Sequence, residues 1–559
     1  MNAPAAPAST PTGRTGLTLP GANSMVWLCA LVGLMAALHL SMVLGRSLNW
    51  DEFWFYSLIG QVARGESIQP LQTIHTRFFV WWLPALPGNE IDHILTARLF
   101  MLACLAVTSL GIFLVAERFA HRRAALIAVA AYLGAGYVLQ HGASFRIDPM
   151  VSACLATALA IAARTRLSVS AILALGAVIG LSAMLTIKMV LWAPAFAGIA
   201  LWRWEEEGFD WRYPLRWIAA GAIAIGTFAL LYALHSAGMN AEEANGAAAG
   251  ALENSAEKMF ALAQGYRITM IGKAIVASFP LFLLAAIVPL AVHRSGWTRT
   301  RKLAAMAIWS VVLTPLFYHN SYAYFYAFIL PPVAATCAFA IPMITRRYGA
   351  VSILALIAAS ALLIWAVDPR GAIDRQKVLV EGAHEAFPEP VAYFDCCGMI
   401  GSFAKANMFR SSWGVERYLS SGRPLMLEAM HQKPIPMLLD NKRDFAPAIA
   451  GLDAPTVQAE DRKALRDTYI QLWGDIFVAG RELESDQNLR WNVLVPGTYR
   501  VSGTIEVNGR IVNDNEAVNL PRGVAELSNK GEGAARLIWG AKTQAPTQPA
   551  PVELYWTGF

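Results

Sequence analysis

A chain of 559 residues that is 56% hydrophobic and only 15% charged, with a mean hydropathy of +0.42, is too apolar for a soluble enzyme of its size and reads as a polytopic membrane protein. Its formal net charge of +6 is no argument for a nucleic-acid partner, because the basic residues fall in alternate connections between apolar runs. Of six cysteines, Cys29, Cys104, Cys154 and Cys337 lie inside apolar runs as small hydrophobes, which excludes a disulfide framework or a cysteine metal site.

Residues 1–24, rich in Ala, Pro, Ser and Thr, read as a disordered tail. Apolar runs follow at about 25–45, 94–116, 123–140, 150–163, 168–187, 188–203, 215–235, 271–292, 302–318, 322–343 and 349–367. That makes about eleven candidate spans of a hydrocarbon core ~30 Å thick. The first run has no small-residue cleavage site and is expected to stay as an uncleaved helix. Arg118, Arg122 and Arg123 open a series of basic connections that continues at Arg164 and Arg166, Arg203 to Arg216, Arg294 to Lys302, and Arg346 and Arg347. Short cytoplasmic loops are enriched in such residues, so these connections and the amino terminus are expected in the cytoplasm of a bacterial inner-membrane protein. Connections 46–93, 141–149, 236–270 and 319–321, with everything after Asp368, then face the periplasm.

The loop 46–93 is expected to lie in the membrane interface, since 50–63 is amphipathic and 70–87 mixes Phe78, Phe79, Trp81 and Trp82 with prolines. Region 25–367 reads as the membrane domain. From Asp374 the composition turns soluble. Helix-like 375–387 and 460–479 with strands near 391–394 and 436–439 suggest an α/β subdomain over 374–487, and short alternating runs suggest a β-sandwich over 488–559. Within the α/β subdomain the vicinal Cys396 and Cys397 are either a strained disulfide or, as favoured here, two buried thiols.

Four stretches carry groups suited to chemistry. In Asn49-Trp-Asp-Glu, a carboxylate of the Asp51–Glu52 pair is placed to take an acceptor proton, while its companion orients it or holds a divalent cation. The same residues also read as a capped helix start, with Asn49 as N-cap and Glu52 closing a capping box, and the two roles are compatible. In Ser144-Phe-Arg-Ile-Asp-Pro, Arg146 suits a phosphate by its planar fork and Asp148 is a further acid; alternatively the two pair with each other. Lys188 stands at a junction of two runs, either against a phosphate or reaching toward headgroups. His319, Asn320, Tyr322 and Tyr324, together with Trp54, Tyr56, His75 and Arg77 of the first loop, are candidate sugar- or acceptor-binding groups or interfacial anchors. No Walker loop, Rossmann glycine pattern or metal-binding His pair occurs, so no metal ligands are assigned and no cofactor is called for beyond the optional cation.

Asp51-Glu52 after the first run, Arg146-Ile-Asp148 after the third, Gly180-Leu-Ser-Ala-Met-Leu-Thr-Ile-Lys188 and the Tyr326-to-Pro332 run together resemble the GT-C glycosyltransferases, nearest the protein O-mannosyltransferases and the aminoarabinose transferases that act on lipid A. The resemblance covers about 25–367. It implies a polyprenyl-phosphate-linked sugar donor, inversion at the anomeric carbon, a periplasm-facing site, Asp51 as general base, Asp148 as the second acid, and Arg146 with Lys188 at the donor phosphate. The acceptor would be a periplasmic glycan, lipid or protein, with membrane lipids as the other partners. Two departures are evident: Ile147 separates Arg146 from Asp148, and Phe328-Ile-Leu-Pro stands where aminoarabinose transferases carry Lys-Leu-Pro. A flippase for lipid-linked sugars, or a membrane-anchored scaffold without catalysis, is the rival expectation; the former calls for ionisable groups at mid-membrane in repeated halves.

Overall fold

The computed structural model describes residues 21–239, 262 and 265–556, so the tail up to residue 20 and most of the connection 236–270 lie outside the described residues. The chain enters through α1 (Gly21–Gly45), a few residues ahead of the first apolar run. A short turn leads to α2 (Trp50–Ala63) and α3 (His75–Phe79), the two helices of the interfacial loop. The bundle continues with α4 (Glu90–Phe119), α5 (Arg122–Leu133), α6 (Gly136–His141), α7 (Ile147–Arg164), α8 (Val169–Leu185), α9 (Ala193–Glu206) and α10 (Arg212–Ser236).

Among the described residues, five helices are long and apolar enough to cross a membrane, from Met25–Gly45 to Ala350–Val367, and two bent pairs bring the number to seven. Other apolar runs are interrupted. The run 123–140 breaks between α5 and α6, and 188–203 begins as a 3₁₀ segment, Ile187–Trp192. The run 302–318 passes from helix Arg299–Trp309 into 3₁₀ turns at Ser310–Leu316. Helices Arg267–Ala277 and Phe279–Arg294 meet at 97°, and Ala323–Cys337 and Ile341–Tyr348 at 65°.

Helix Ala323–Cys337 is the axis of the bundle, with nearly every side chain from Phe325 onward buried. It carries Pro331 and Pro332, whose missing N–H groups orphan the carbonyls four residues earlier. Those are Ala327 and Phe328. The Tyr132 hydroxyl donates to Ala327 O at 2.9 Å and Trp192 Nε1 donates to Phe328 O at 3.2 Å, so two side chains from other helices satisfy what the prolines leave open.

After the bundle, the sheet-forming region builds on β1 (Ala392–Phe394), β2 (Ala404–Lys405), β3 (Met437–Leu439), β4 (Tyr469–Trp473) and β5 (Ile476–Leu483). The expected helix 460–479 ends at Thr468. Beyond it, Tyr469-Ile-Gln-Leu-Trp, with two aromatics and the β-branched Ile470, pairs with β5 instead. Seven strands follow: β6 (Asn488–Val493), β7 (Gly497–Ser502), β8 (Ile505–Val507), β9 (Arg510–Val512), β10 (Ala517–Leu520), β11 (Gly523–Asn529) and β12 (Ala535–Trp539). One sheet runs β10-β7-β12-β5-β3-β1-β2, and a second runs β6-β11-β8-β9. Because β5 lies between β12 and β3, the two expected subdomains share one continuous sheet rather than parting at residue 487. Cys396 and Cys397 are free thiols, both buried.

This region is seated directly on α2. Phe53 and Trp50 pack edge-on against Trp556, and the buried Gln376 holds both Leu48 N and Leu48 O. A Cβ on Gly401 would come within 2.6 Å of the Tyr56 ring, so only glycine lets loop 398–401 lie so close to α2. On α4, buried Glu90 accepts hydrogen bonds from Ser402 and faces His384 Nε2 at 3.0 Å. Burial pushes the His384 imidazole down, but the hydrogen bond and charge of Glu90 outweigh it and the net shift is upward. A raised histidine contributes its stability in full below its unfolded value of about 6.5 and loses it as pH climbs through the folded value. The thermal-midpoint gap between the parent protein and His384→Gln should therefore be widest near pH 6 and close by pH 8–9 in a pH series on detergent-solubilised protein. A gap that does not change with pH would remove this contact as a titrating one.

Candidate active site

The site begins with a helix cap. Asn49 Oδ1 accepts from Asp51 N at 3.0 Å, and Glu52 Oε1 reaches back to Asn49 N at 2.9 Å. Glu52 is fully buried and is gripped by Arg98, whose Nε and Nη2 lie 2.7 and 2.6 Å from its two oxygens. Arg98 also donates to the carbonyls of Val43, Arg46 and Ser47 at 2.8–3.1 Å. Burial would push the Glu52 carboxyl up, but the Arg98 charge and the hydrogen bonds from Arg98, Asn49 and Phe145 more than offset it and hold it ionised below its usual range.

The bond from Phe145 N to Glu52 Oε2, 2.7 Å, fixes the turn before α7 and hence its neighbour Arg146. Arg146 is buried, ion-paired to Asp51 and, through Nε at 3.1 Å, to Asp148. Its guanidinium lies over the Tyr324 ring, 3.6 Å from the centroid. Asp148 is also paired with Lys188, at the start of the 3₁₀ segment, where Lys188 stands 5.6 Å from the Tyr324 and Phe328 rings. Asp51, Arg146, Asp148 and Lys188, far apart in the chain, thus form one alternating string of charges.

The string borders a polar cavity of about 180 Å³ lined by Phe55, Gln72, Arg146, Asp148, Lys188, Tyr318, Asn320 and Tyr324 with Ile147 and Ile187. Gln72, at a positive φ of 65°, and Ile187 also line a neighbouring apolar cavity of about 450 Å³. Its other walls include Ile179, Gly180 and Ala183 of α8 and Ala224, Ile225 and Phe228 of α10. The unwound backbone at 187–192 borders this space, and that at 310–316 has Val311, Thr314 and Pro315 buried in protein, the two settings in which irregular backbone is tolerated at membrane depth.

The remaining sequence candidates divide. Asn320 and Tyr324 line the polar cavity. Glu52 does not; both its oxygens are taken by Arg98 and backbone N–H groups, so the Asp51–Glu52 pair does not offer two free carboxylates to a cation. Among the described residues no three His, Cys, Asp or Glu side chains gather as metal ligands. Tyr56 hydrogen-bonds His93 at 2.6 Å inside the protein, His75 is buried edge-on to Phe55, and Arg77 holds His235 through its ring and its carbonyl. Trp54 stacks on Phe409 at 4.9 Å, His319 sits 6.3 Å from Trp413, and Tyr322 stacks on Tyr324, so segment 409–413 overhangs both α2 and the 319–324 turn. Sequence reasoning passed over Arg98, Gln72, Phe55 and Tyr318. Arg98 had a signal, a charge inside the apolar run 94–116, where an ionisable group needs a buried partner.

Breaking the Glu52–Arg98 pair from one side strands a buried charge. Arg98→Ala should cost about 3–5 kcal/mol, whereas the double replacement Glu52→Leu with Arg98→Leu should cost less than the sum of the single changes. Thermal midpoints of the purified variants measure both, and additive losses would show that the two groups act independently.

No family model and no curated protein sequence matches the chain. Solved structures do. ArnT from Cupriavidus metallidurans bound to undecaprenyl phosphate superposes with a TM-score of 0.54 at 12% identity, covering 78% of this chain and 96% of that one. The same protein in the apo state gives 0.51 at 13% identity, covering 76% and 95%. The apo oligosaccharyltransferase of Archaeoglobus fulgidus gives 0.50 at 10% identity, covering 89% of this chain and 76% of that one. The shared architecture is that of the GT-C enzymes.

Proposed function

We propose that this membrane protein of the GT-C fold is an inverting glycosyltransferase that moves a sugar from a polyprenyl phosphate to an acceptor hydroxyl at the periplasmic face of a bacterial inner membrane. The observation that carries the reading is the layout of the site: a charged cavity holding Lys188 and Arg146 that shares two walls, Gln72 and Ile187, with an apolar one, the outline of a lipid with an anionic head. A polyprenyl-phosphate sugar has that outline, and the ArnT structure with undecaprenyl phosphate has this fold.

The head group fits beside Lys188 and Arg146. As the bond from the anomeric carbon to the phosphate oxygen breaks, its electron pair stays on the phosphate, and the two cations offset the growing charge. The acceptor oxygen attacks the opposite face, which inverts the centre, and gives its proton to Asp51. Asp148 holds the cations in register, and the Glu52–Arg98 pair positions the helix and turn that carry them. The acceptor enters beneath segment 409–413, where Trp54, Phe409 and Trp413 present rings suited to sugar faces. The flippase reading asks for ionisable groups at mid-membrane in repeated halves, whereas these four charges form one string beside a single cavity.

Asp51→Asn should lower transfer by about 10²–10⁴-fold with the protein still folded, the range that removing a general base produces. The measurement is mass spectrometry of envelope lipids, glycans and proteins from cells carrying the parent or the variant. Full transfer by the variant would exclude Asp51 as the base.

A further inference from the structure

The proposed base does not face the cavity. Asp51 is absent from its walls, whereas Arg146, its ion-pair partner, forms part of them. The guanidinium therefore stands between Asp51 and the space where the substrates meet. Its other contacts leave it two options: Nε is held by Asp148, and its plane rests on the Tyr324 ring, a face along which it can slide without losing contact. The charges of the string balance as they stand, two carboxylates against two cations, so an entering phosphate competes with Asp51 and Asp148 for the same N–H groups.

We propose, on the basis of the donor reading above, that Arg146 is a latch: it masks Asp51 until the donor phosphate draws it away, so that the base is exposed only when a donor is in place. Removing one partner from a buried pair is costly unless another anion takes its place, and a phosphate is that anion, equally able to bind the planar fork. Donor binding then precedes acceptor binding. Glu52, next in sequence, is gripped by a different arginine and stays closed throughout.

The test is carboxylate accessibility in the full-length protein in lipid nanodiscs. The chain is treated with a hydrophobic carbodiimide and an amine, with and without undecaprenyl phosphate; lipid binding is measured on the same samples and labelling is mapped by mass spectrometry. Asp51 labelling should rise about tenfold as the lipid saturates, the change expected when a ligand moves a two-state latch from mostly shut to mostly open. Glu52 should stay unlabelled. Arg146→Gln should label at Asp51 with or without lipid, and Arg146→Lys, which keeps the charge, should restore part of the masking. Lipid that binds while Asp51 labelling stays level or falls overturns the latch and leaves the donor reading standing. Lipid that fails to bind, or binds the Arg146→Gln and Lys188→Gln proteins as well as the parent, overturns the donor reading and the latch with it.

Discussion

A fully buried carboxylate held by a fully buried guanidinium is the constraint on which the site rests. An isolated charge of either sign would be too costly there, and the pair is tolerated because every N–H of Arg98 finds an oxygen and both oxygens of Glu52 are saturated. In satisfying themselves the two groups bind three stretches of chain: the last carbonyls after α1, the first turn of α2 and the backbone before α7. Asp51 and Arg146 are each one residue away from an anchored position. Successive helical residues point about 100° apart, so Glu52 turns inward while Asp51 turns toward Arg146.

The second constraint is the supply of backbone hydrogen bonds. Pro331 and Pro332 lie in the central helix, and two 3₁₀ stretches interrupt runs long enough to be helices. Tyr132 and Trp192 answer the carbonyls that the prolines orphan. The stretch 187–192 places Lys188 at the cavity, and the turn that follows 310–316 brings Tyr318 and Asn320 there. An uninterrupted helix would carry these side chains past one another along its axis, so the breaks in the bundle and the presence of a polar cavity are one feature.

The sheet-forming region is part of the same body. Its loop 398–401 reaches α2 through glycine, its segment 409–413 lies over Trp54 and His319, and its buried Gln376 closes the link between α1 and α2. The helix that carries Asp51 is thus packed on one side by the bundle and on the other by this region, and movement of either is felt at the site. A fold held in common at 12% identity shows the architecture alone, and by the general rule the chemistry resides in the site rather than in the architecture.

The amino-acid sequence by itself determined that the chain belongs in a membrane, roughly where its apolar runs lie, where the soluble composition begins and which charged residues are too costly to be idle. Those properties are local or additive: hydropathy sums along a run, and a charge beside such a run stands out wherever it folds. It also carried both readings of Asn49-Trp-Asp-Glu, which the structure divides between neighbours, the cap to Glu52 and the ion pair with Arg146 to Asp51. Tertiary structure alone decided that Arg98 owns Glu52, that Arg146 covers Asp51 and that Gln72 lines both cavities. Each depends on a partner tens to hundreds of residues away, and such pairing leaves no periodic trace in the chain that makes it.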